Sequence, residues 1–210
     1  MSGSDVFAGA QTPYSGNSEF NQIDFVVRQV LSGAATAMLV LVKAVNNTGE
    51  LAPVGLVDVQ PMVAQLDGKG QATPHGTINN VPYFRLQGGV NAVIIDPAVG
   101  DIGLAVFASH DISSVKKNKA PSNPGSRRRF DWSDGLYLGG FLNGTPTRYI
   151  RFDSDGNVWI KPATKVTVEG DLHVTGTGTF DVDATADGVS LLNHTHGGVQ
   201  TGSGHTAAPD

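Results

Sequence analysis

Residues 150–186 read IRFDSDGNVWIKPATKVTVEGDLHVTGTGTFDVDATA, and their apolar residues keep one parity almost throughout. Even positions carry the apolar side chains, from Ile150 and Phe152 to Ala184 and Ala186, whereas odd positions are mostly charged or hydroxylated. On a β-strand, successive side chains point to opposite faces. The turns and the TGTG spacer preserve the phase, so the pattern predicts a ribbon of strands with one apolar face and one solvated face.

Such a ribbon is marginally stable in water when it is alone, and the chain has little other sequence that could cover its apolar face. Self-association would hide that face, and a threefold axis would let three ribbons wrap around a shared apolar core. The side chains also shrink from Phe180 through Val182 to Ala184, as in a tapering shaft. We therefore predict that residues 130–193 form a trimeric, intertwined β-helix or β-prism. A β-sandwich with a second sheet that the pattern does not reveal is the alternative.

The chain before this ribbon predicts a helix followed by a small barrel. Within the N-terminal segment 1–34, Ser18 suits a helix N-cap, an apolar stripe follows at helical spacing, and Gly33 suits the end. Residues 35–115 alternate short apolar runs with clusters of Asn, Asp, Gly and Pro, which predicts at least five strands. Five or six strands with short turns indicate a barrel of the oligonucleotide/oligosaccharide-binding (OB) type, so the predicted fold class is mainly β.

Two loop segments have simple interpretations. Residues 116–129, KKNKAPSNPGSRRR, are basic and contain Pro and Gly, which predicts a solvated linker, with contact to an acidic partner as the alternative. The segment from Asp153 to Asn157 resembles the start of a calcium loop. Position 12 of that loop would be Thr164 rather than Glu, and both flanks read as strands, so a hairpin turn is the better interpretation.

Composition and motifs exclude several classes of function. The chain has no cysteine, which rules out disulfides, thiolate metal sites and cysteine nucleophiles. A net charge of −5 gives no reason to expect nucleic-acid binding. No apolar run approaches the ~20 residues that span a bilayer, and no secretory signal is evident. Neither a nucleophile elbow nor a zinc-protease motif is present, so we predict no enzymatic activity.

The C-terminal segment 194–210 begins with two histidines one residue apart, His194 and His196. Both have even numbers, as Val182 and Ala184 do, whereas Val189 and Leu191, which lie between Ala184 and His194, are odd. A turn or bulge must therefore reset the phase before both histidine rings can face the axis. Three chains would then bring six imidazoles together. Six-coordinate nitrogen ligation favours Fe(II), with Ni(II) or Co(II) as alternatives, over structural zinc, which prefers four ligands.

The competing interpretation of these histidines is an ordinary solvated tail. A His-x-His pair in a glycine-rich segment is most often surface histidine, and only its place after a tapering shaft favours a metal role. His205 is a further candidate ligand. His173 has the outward parity of the ribbon and is expected to be solvated.

Five stretches in this order resemble one protein family: FNQIDFVVRQVLSGAATAMLVLV (20–42), GLVDVQPMV (55–63), INNVPYFRL (78–86), DPAVGDIGLAVFASHDIS (96–113) and NHTHGG (193–198). They are similar to the central spike, or baseplate assembly protein V, of contractile-tailed bacteriophages. The resemblance implies a homotrimer in the virion, at the distal tip of the tail baseplate, whose barrel attaches to hub proteins and whose shaft is a triple-stranded β-helix.

The same resemblance implies an apex that holds an iron ion between six histidines, matched here by His194 and His196. On tail contraction such a spike is driven through the host outer membrane. No lysozyme insertion is evident, so peptidoglycan hydrolysis is not expected. A secretion-system spike of the same architecture and an OB-type saccharide-binding module are the alternative functions.

Overall fold

The computed structural model describes residues 14–47, 51–66 and 71–195, together with Gly198 and Gly202. The chain divides into two compact units, residues 1–145 and 146–210, which are described separately. The described residues are mainly β, with one long helix near the N-terminus. No helix among them is long and apolar enough to cross a membrane.

The elements of the first unit are a helix, nine strands, a second short helix and a 3-10 turn. In chain order they are α1 (Glu19–Ser32), β1 (Ala37–Asn46), β2 (Leu56–Pro61), β3 (Gln65–Leu66), β4 (Ala72–Thr73), β5 (Ile78–Pro82), β6 (Leu86–Gly88), β7 (Asn91–Val93), β8 (Ile102–Phe107), α2 (Ser113–Asn118), the 3-10 turn (Trp132–Asp134) and β9 (Gly135–Leu138). The second unit contains β10 (Tyr149–Phe152), β11 (Val158–Lys161), β12 (Thr185–Ala186) and β13 (Val189–Ser190).

Helix α1 begins and ends where the sequence predicted. The Ser18 hydroxyl accepts a hydrogen bond from the Asn21 amide at 3.2 Å, which satisfies one of the free amides at the helix start. Gly33 follows as the C-cap, with its amide donating to the Gln29 carbonyl at 3.3 Å. None of the helix residues is buried, so the apolar stripe of α1 is exposed in the single chain.

Five antiparallel strands form the main sheet, in the order β5-β2-β1-β8-β9. Strand β1 pairs with both β2 and β8, and its register shifts between Val42 and Ala44, which bends the long strand. The two edges approach each other, because Tyr83 bridges Tyr137 and the Phe84 amide donates to the Tyr137 carbonyl at 2.8 Å. The predicted helix and five strands are confirmed. The sheet is a curled half-barrel, and its assignment to the OB type stays a prediction.

The core lies inside the curl of this sheet. Alternate residues of the three central strands are buried, and Tyr137 of β9 is the largest side chain among the most deeply buried residues. The Tyr137 ring lies against Gly103 of β8, where any side chain would overlap the ring and the Leu138 carbonyl. Glycine at 103 therefore allows the edge strand to place its aromatic ring across the sheet. The other core residues are Ala35, Val40, Val42, Val57, Val59, Val81, Tyr83, Ala105 and Phe107.

Strand β9 belongs to this sheet, although the sequence interpretation placed residues from 130 onward in the shaft. It pairs with β8 over Leu104↔Leu138 to Phe107↔Gly135. The short run GLYL has alternating burial, but it pairs with a strand about thirty residues earlier. Because that pairing is long-range, the local pattern could not separate it from the ribbon that follows.

The predicted basic linker is anchored at its end by a buried ion-pair cluster. Arg128 Nε lies 2.7 Å from Asp134 Oδ2, and Arg128 Nη2 lies 2.7 Å from Asp111 Oδ1. Both carboxylates are buried. Asp134 also accepts a hydrogen bond from the Ile112 amide at 3.0 Å, and Asp111 accepts one from the Ser113 amide at 2.8 Å. Arg128 therefore joins the segment before β9 to the loop after β8 instead of lying in solvent.

We expect this cluster to make the stability of the protein depend on acid pH. Hydrogen bonds from Ser113 lower the pKa of Asp111 to about 2, and those from Arg128 lower the pKa of Asp134. Both values lie below the ~3.9 of an unfolded Asp, so the unfolded chain binds more protons. The contribution of the cluster is present above about pH 4 and is lost as the pH falls towards and below 2, which urea unfolding at a series of pH values will measure.

Two arginine variants distinguish the effect of this cluster on acid stability from the effect of the other acidic groups. Arg128→Met leaves two buried carboxylates without their cation, so its urea midpoint near neutral pH is expected to fall and its decline in acid to flatten. Arg129→Met is the control, because Arg129 is exposed and makes no ion pair within the described residues. Equal midpoints for the two variants would contradict the assignment.

In the second unit, β10 and β11 form a hairpin around the SDGN turn. Gly156 has a φ of 84°, and the Asp153 amide donates to the Asn157 carbonyl at 3.0 Å. The Asp153 carboxylate accepts from the amides of Asp155 and Asn157 at 3.1 and 2.9 Å, and from the Trp159 indole at 2.6 Å. The hairpin interpretation is confirmed, and the carboxylate braces its own turn.

None of the described residues between 146 and 195 is buried. No strand is formed between β11 and β12, and the apolar side chains of the even positions are mostly exposed; for example, Val168 is 57% exposed and Val182 is 84% exposed. Of the predicted ribbon, the single chain forms only the β10–β11 and β12–β13 hairpins, so a shared apolar face along residues 162–184 stays a prediction. The trimeric shaft itself stays a prediction.

Candidate metal-binding tip

The segment before the histidines is a tight hairpin formed by β12 and β13. The two turn residues, Asp187 and Gly188, both have positive φ angles of 47° and 78°. Two successive residues with positive φ are typical of a type I′ turn, and Asp-Gly is a favoured sequence for it. The pairs Ala186↔Val189 and Thr185↔Ser190 follow directly from this turn.

Across this hairpin, the residues that point to one side change from even to odd numbers. Cross-strand partners in an antiparallel pair point to the same side, so Val189 lies on the side of Ala186. The Leu191 amide donates to the Ala184 carbonyl at 2.8 Å, which extends the same register by one pair. The apolar residues are thus even before the turn and odd after it. The hairpin at Asp187-Gly188 thus explains why Val189 and Leu191 are odd, and the further change that the even-numbered histidines require must lie after Leu191.

A short helical turn then carries the chain to His194. The His194 amide donates to the Ser190 carbonyl at 3.1 Å, and the Asn193 amide donates to the Ser190 hydroxyl at 2.9 Å. His194 consequently lines a mostly apolar recess of about 340 Å³ together with Ala184, Ala186, Val189 and Leu191. The histidine therefore lies beside the apolar face of the hairpin.

Asp183 braces this turn from the strand before the hairpin. Its carboxylate accepts a hydrogen bond from the Leu192 amide at 3.0 Å. The Ser190 hydroxyl is the main cause that lowers the pKa of Asp183, and several backbone amides add to it. The sequence interpretation assigned Asp183 only to the solvated face, because the contact spans nine residues and depends on the intervening hairpin.

The hydrogen bonds of the His194 ring indicate which ring nitrogen carries the proton. Its Nδ1 lies 3.0 Å from the Ser190 carbonyl and 3.1 Å from the Leu191 carbonyl. Carbonyl oxygens only accept, so Nδ1 must carry the proton, and the lone pair of the neutral ring is on Nε2. A backbone carbonyl that holds one ring nitrogen is the usual support of a metal-bound histidine.

The other histidines are distributed as follows. His196 and His205 lie outside the described residues, so the structure places only one of the two predicted ligands. His173 is exposed, His75 packs against Trp132 with ring centroids 5.1 Å apart, and the His110 ring contacts Ser109. Within the described part of one chain, no group of three or more His, Asp or Glu side chains could hold a metal ion. A site on a threefold axis would draw its ligands from three chains.

Residues 188–209 match the family model described as the GpV Apex motif. This match supports the central spike protein V family of phage baseplates. It confirms the resemblance at the C-terminal end of the chain, over the segment that contains both histidines. It indicates a baseplate component of a phage virion, and a structural spike motif agrees with the prediction that the chain is not an enzyme. No curated protein matches the sequence.

Proposed function

We propose that this chain is the central spike of a contractile phage tail, a homotrimer that is driven through the host outer membrane when the tail contracts. The Apex motif at residues 188–209 is the observation that carries the proposal. It occurs at the end of a ribbon whose apolar side chains are exposed in the single chain, as a trimeric shaft requires.

The energetics of these exposed apolar side chains support the proposed self-association. Burial of each Val or Leu side chain contributes roughly 1.5–3 kcal/mol, and the ribbon presents such residues at regular intervals from Ile150 to Leu191. The same chain segment has no buried residue of its own to stabilise it. Three copies around one axis would give every ribbon the same apolar surroundings.

The proposed tip site consists of His194 and His196 from each of the three chains. Nδ1 of His194 is already a donor to the backbone, so Nε2 is the nitrogen of the neutral ring that can bind a metal. Six imidazole nitrogens favour Fe(II). The ion, when bound, would cross-link three chain ends, where fraying would otherwise begin.

The proposed mechanical role depends on resistance to forced unfolding. Forced unfolding is governed by the unfolding rate, and strands from three interlocked chains must separate together before any of them is released. The first unit, with its half-barrel sheet, is proposed to attach the spike to the hub proteins of the baseplate.

The position in the virion tests this function directly. Gold-labelled antibodies raised against residues 146–195 are expected to mark the distal end of the tail in electron micrographs of phage particles. Phage that lack the chain are expected to be non-infectious, since no spike opens the outer membrane. Label on the capsid or along the sheath, or full infectivity without the chain, would contradict the proposal.

A further inference from the structure

The turn that carries His194 depends on Ser190, the last residue of β13. The Ser190 carbonyl accepts a hydrogen bond from the His194 amide at 3.1 Å, and the Ser190 hydroxyl accepts one from the Asn193 amide at 2.9 Å. A hydroxyl that accepts from the amide three residues further on has the geometry of a helix N-cap. Ser190 therefore begins the helical turn as well as ending the strand.

Asp183 fixes the direction of that hydroxyl. A serine hydroxyl has a single hydrogen, and here it donates to the Asp183 carboxylate, which is the main cause of the lowered pKa of Asp183. Because the hydrogen is held there, a lone pair of the hydroxyl oxygen points to the Asn193 amide. The carboxylate thus supports the cap of the turn, although it lies on the strand before the hairpin.

The same carboxylate also acts where the strand pairing ends. The last paired amide, that of Leu191, donates to the Ala184 carbonyl at 2.8 Å. The next amide, that of Leu192, donates to the Asp183 carboxylate at 3.0 Å. A side chain therefore takes over from the backbone at the point where the chain changes from strand to turn.

The turn places two carbonyl oxygens beside the His194 ring. Those of Ser190 and Leu191 lie 3.0 and 3.1 Å from Nδ1, so the neutral ring carries its proton on Nδ1 and its lone pair on Nε2. The tautomer of an imidazole is determined by the hydrogen bonds of its ring nitrogens. A loosened turn would consequently remove the preference for a proton on Nδ1.

We propose that Asp183 and Ser190 are positioning residues of the tip site: the carboxylate orients the Ser190 hydroxyl, the hydroxyl holds the turn, and the turn keeps the His194 proton on Nδ1. Neither side chain would contact the metal. The metal itself rests on the proposed function, whereas the tautomer of His194 follows from the described contacts. Outer partners of a metal ligand typically change metal affinity by about 10- to 100-fold.

Substitutions along this series of contacts test the proposal in the full chain. Asp183→Asn and Ser190→Ala are each expected to lower the affinity for Fe(II) by roughly 10- to 100-fold, measured by competition with a chelator in the absence of oxygen. Ser190→Thr keeps the hydroxyl and is expected to retain the affinity. Because Asp183 and Ser190 act through one hydroxyl, the double variant is expected to have the affinity of the weaker single variant.

Asp181→Asn is the matched control for Asp183→Asn. It removes the same charge at an exposed position of the same parity, and Asp181 makes no side-chain hydrogen bond within the described residues. Its affinity for Fe(II) is expected to equal that of the unaltered protein. Equal affinities of the Asp181→Asn and Asp183→Asn variants would overturn the proposal.

The tautomer of His194 is a second readout, and it needs no metal. Nitrogen NMR of the histidine rings, recorded on iron-free protein at mildly alkaline pH, is expected to show the His194 proton on Nδ1. In Asp183→Asn and Ser190→Ala the signals are expected to shift towards the Nε2-protonated form. A purely structural role of Asp183 elsewhere in the chain would leave the tautomer unchanged.

The two readouts separate the positioning role from the spike function. A proton on Nε2 in the unaltered protein would overturn the positioning role without any metal measurement. Iron bound equally tightly by the unaltered protein and by all variants would also overturn it, and would leave the proposed tip site in place. An unaltered trimer that binds no iron, with the His194 proton on Nδ1 as expected, would contradict the proposed tip site instead.

Discussion

Replacement of Val166 and Val168 by Asp is expected to convert the protein from a trimer into a monomer of 21.9 kDa. Both valines have the even parity of the predicted apolar face, and they are 56% and 57% exposed in the single chain. In the proposed trimer they would be buried around the axis. Three chains would then bring six carboxylates into a shared apolar core, where each unpaired charge costs several kcal/mol. Sedimentation equilibrium at micromolar concentration measures the mass.

The control for this experiment places the same charges on the other face. Thr167→Asp and Thr175→Asp have odd parity and are exposed, so the double variant is expected to remain a trimer of the same sedimentation coefficient. Dissociation of both double variants would show that added charge, rather than the apolar face, is responsible. A monomer for the unaltered chain would contradict the trimer outright.

The second large effect is expected in the metal content. The purified protein is predicted to contain one iron per three chains, since a single axial site takes its ligands from all of them. Replacement of His194 and His196 by Ala is expected to reduce the iron to background while the trimer remains assembled. The reason is that the apolar shaft, and not the tip, supplies most of the proposed burial. Elemental analysis together with sedimentation measures both results on one sample.

The control for the metal prediction is His173→Ala, which removes an exposed histidine of the ribbon. Its iron content is expected to equal that of the unaltered protein. Because protons and the metal compete for the same imidazole nitrogens, the ion is also expected to be released in acid and to return when the pH is raised. Iron that survives in the double Ala variant, or another stoichiometry, would refute the site.

Short-range patterns accounted for much of this structure. Helix α1 was predictable because its cap, its apolar stripe and its terminal glycine lie within sixteen residues, 18–33. The Asp153 turn was predictable because its hydrogen bonds join neighbours. The alternation of the ribbon was visible because the period of a strand is two residues, whatever its partners are.

The candidate site was predictable only in part. The residue types and spacing of His194 and His196 pointed to a metal, and the need for a phase change before them was evident. The Asp187-Gly188 dipeptide carried the signal of the hairpin that makes Val189 and Leu191 odd, so the change that the histidines need must lie after Leu191. The position of the His194 ring was not predictable, because it depends on carbonyls of Ser190 and Leu191 that a non-repeating turn presents.

The sequence alone was enough to predict the helix, the strands of the sheet, the apolar parity of residues 150–186 and the two histidines after them, since each is a property of residues close together in the chain. Two features became visible only in the folded chain: β9 pairs at the edge of the half-barrel sheet, and Arg128 lies between two buried carboxylates. These features bring together residues from 6 positions apart, as in Arg128 and Asp134, to 34 positions apart, as in Leu104 and Leu138. Such contacts depend on how strands pair, which no local pattern encodes.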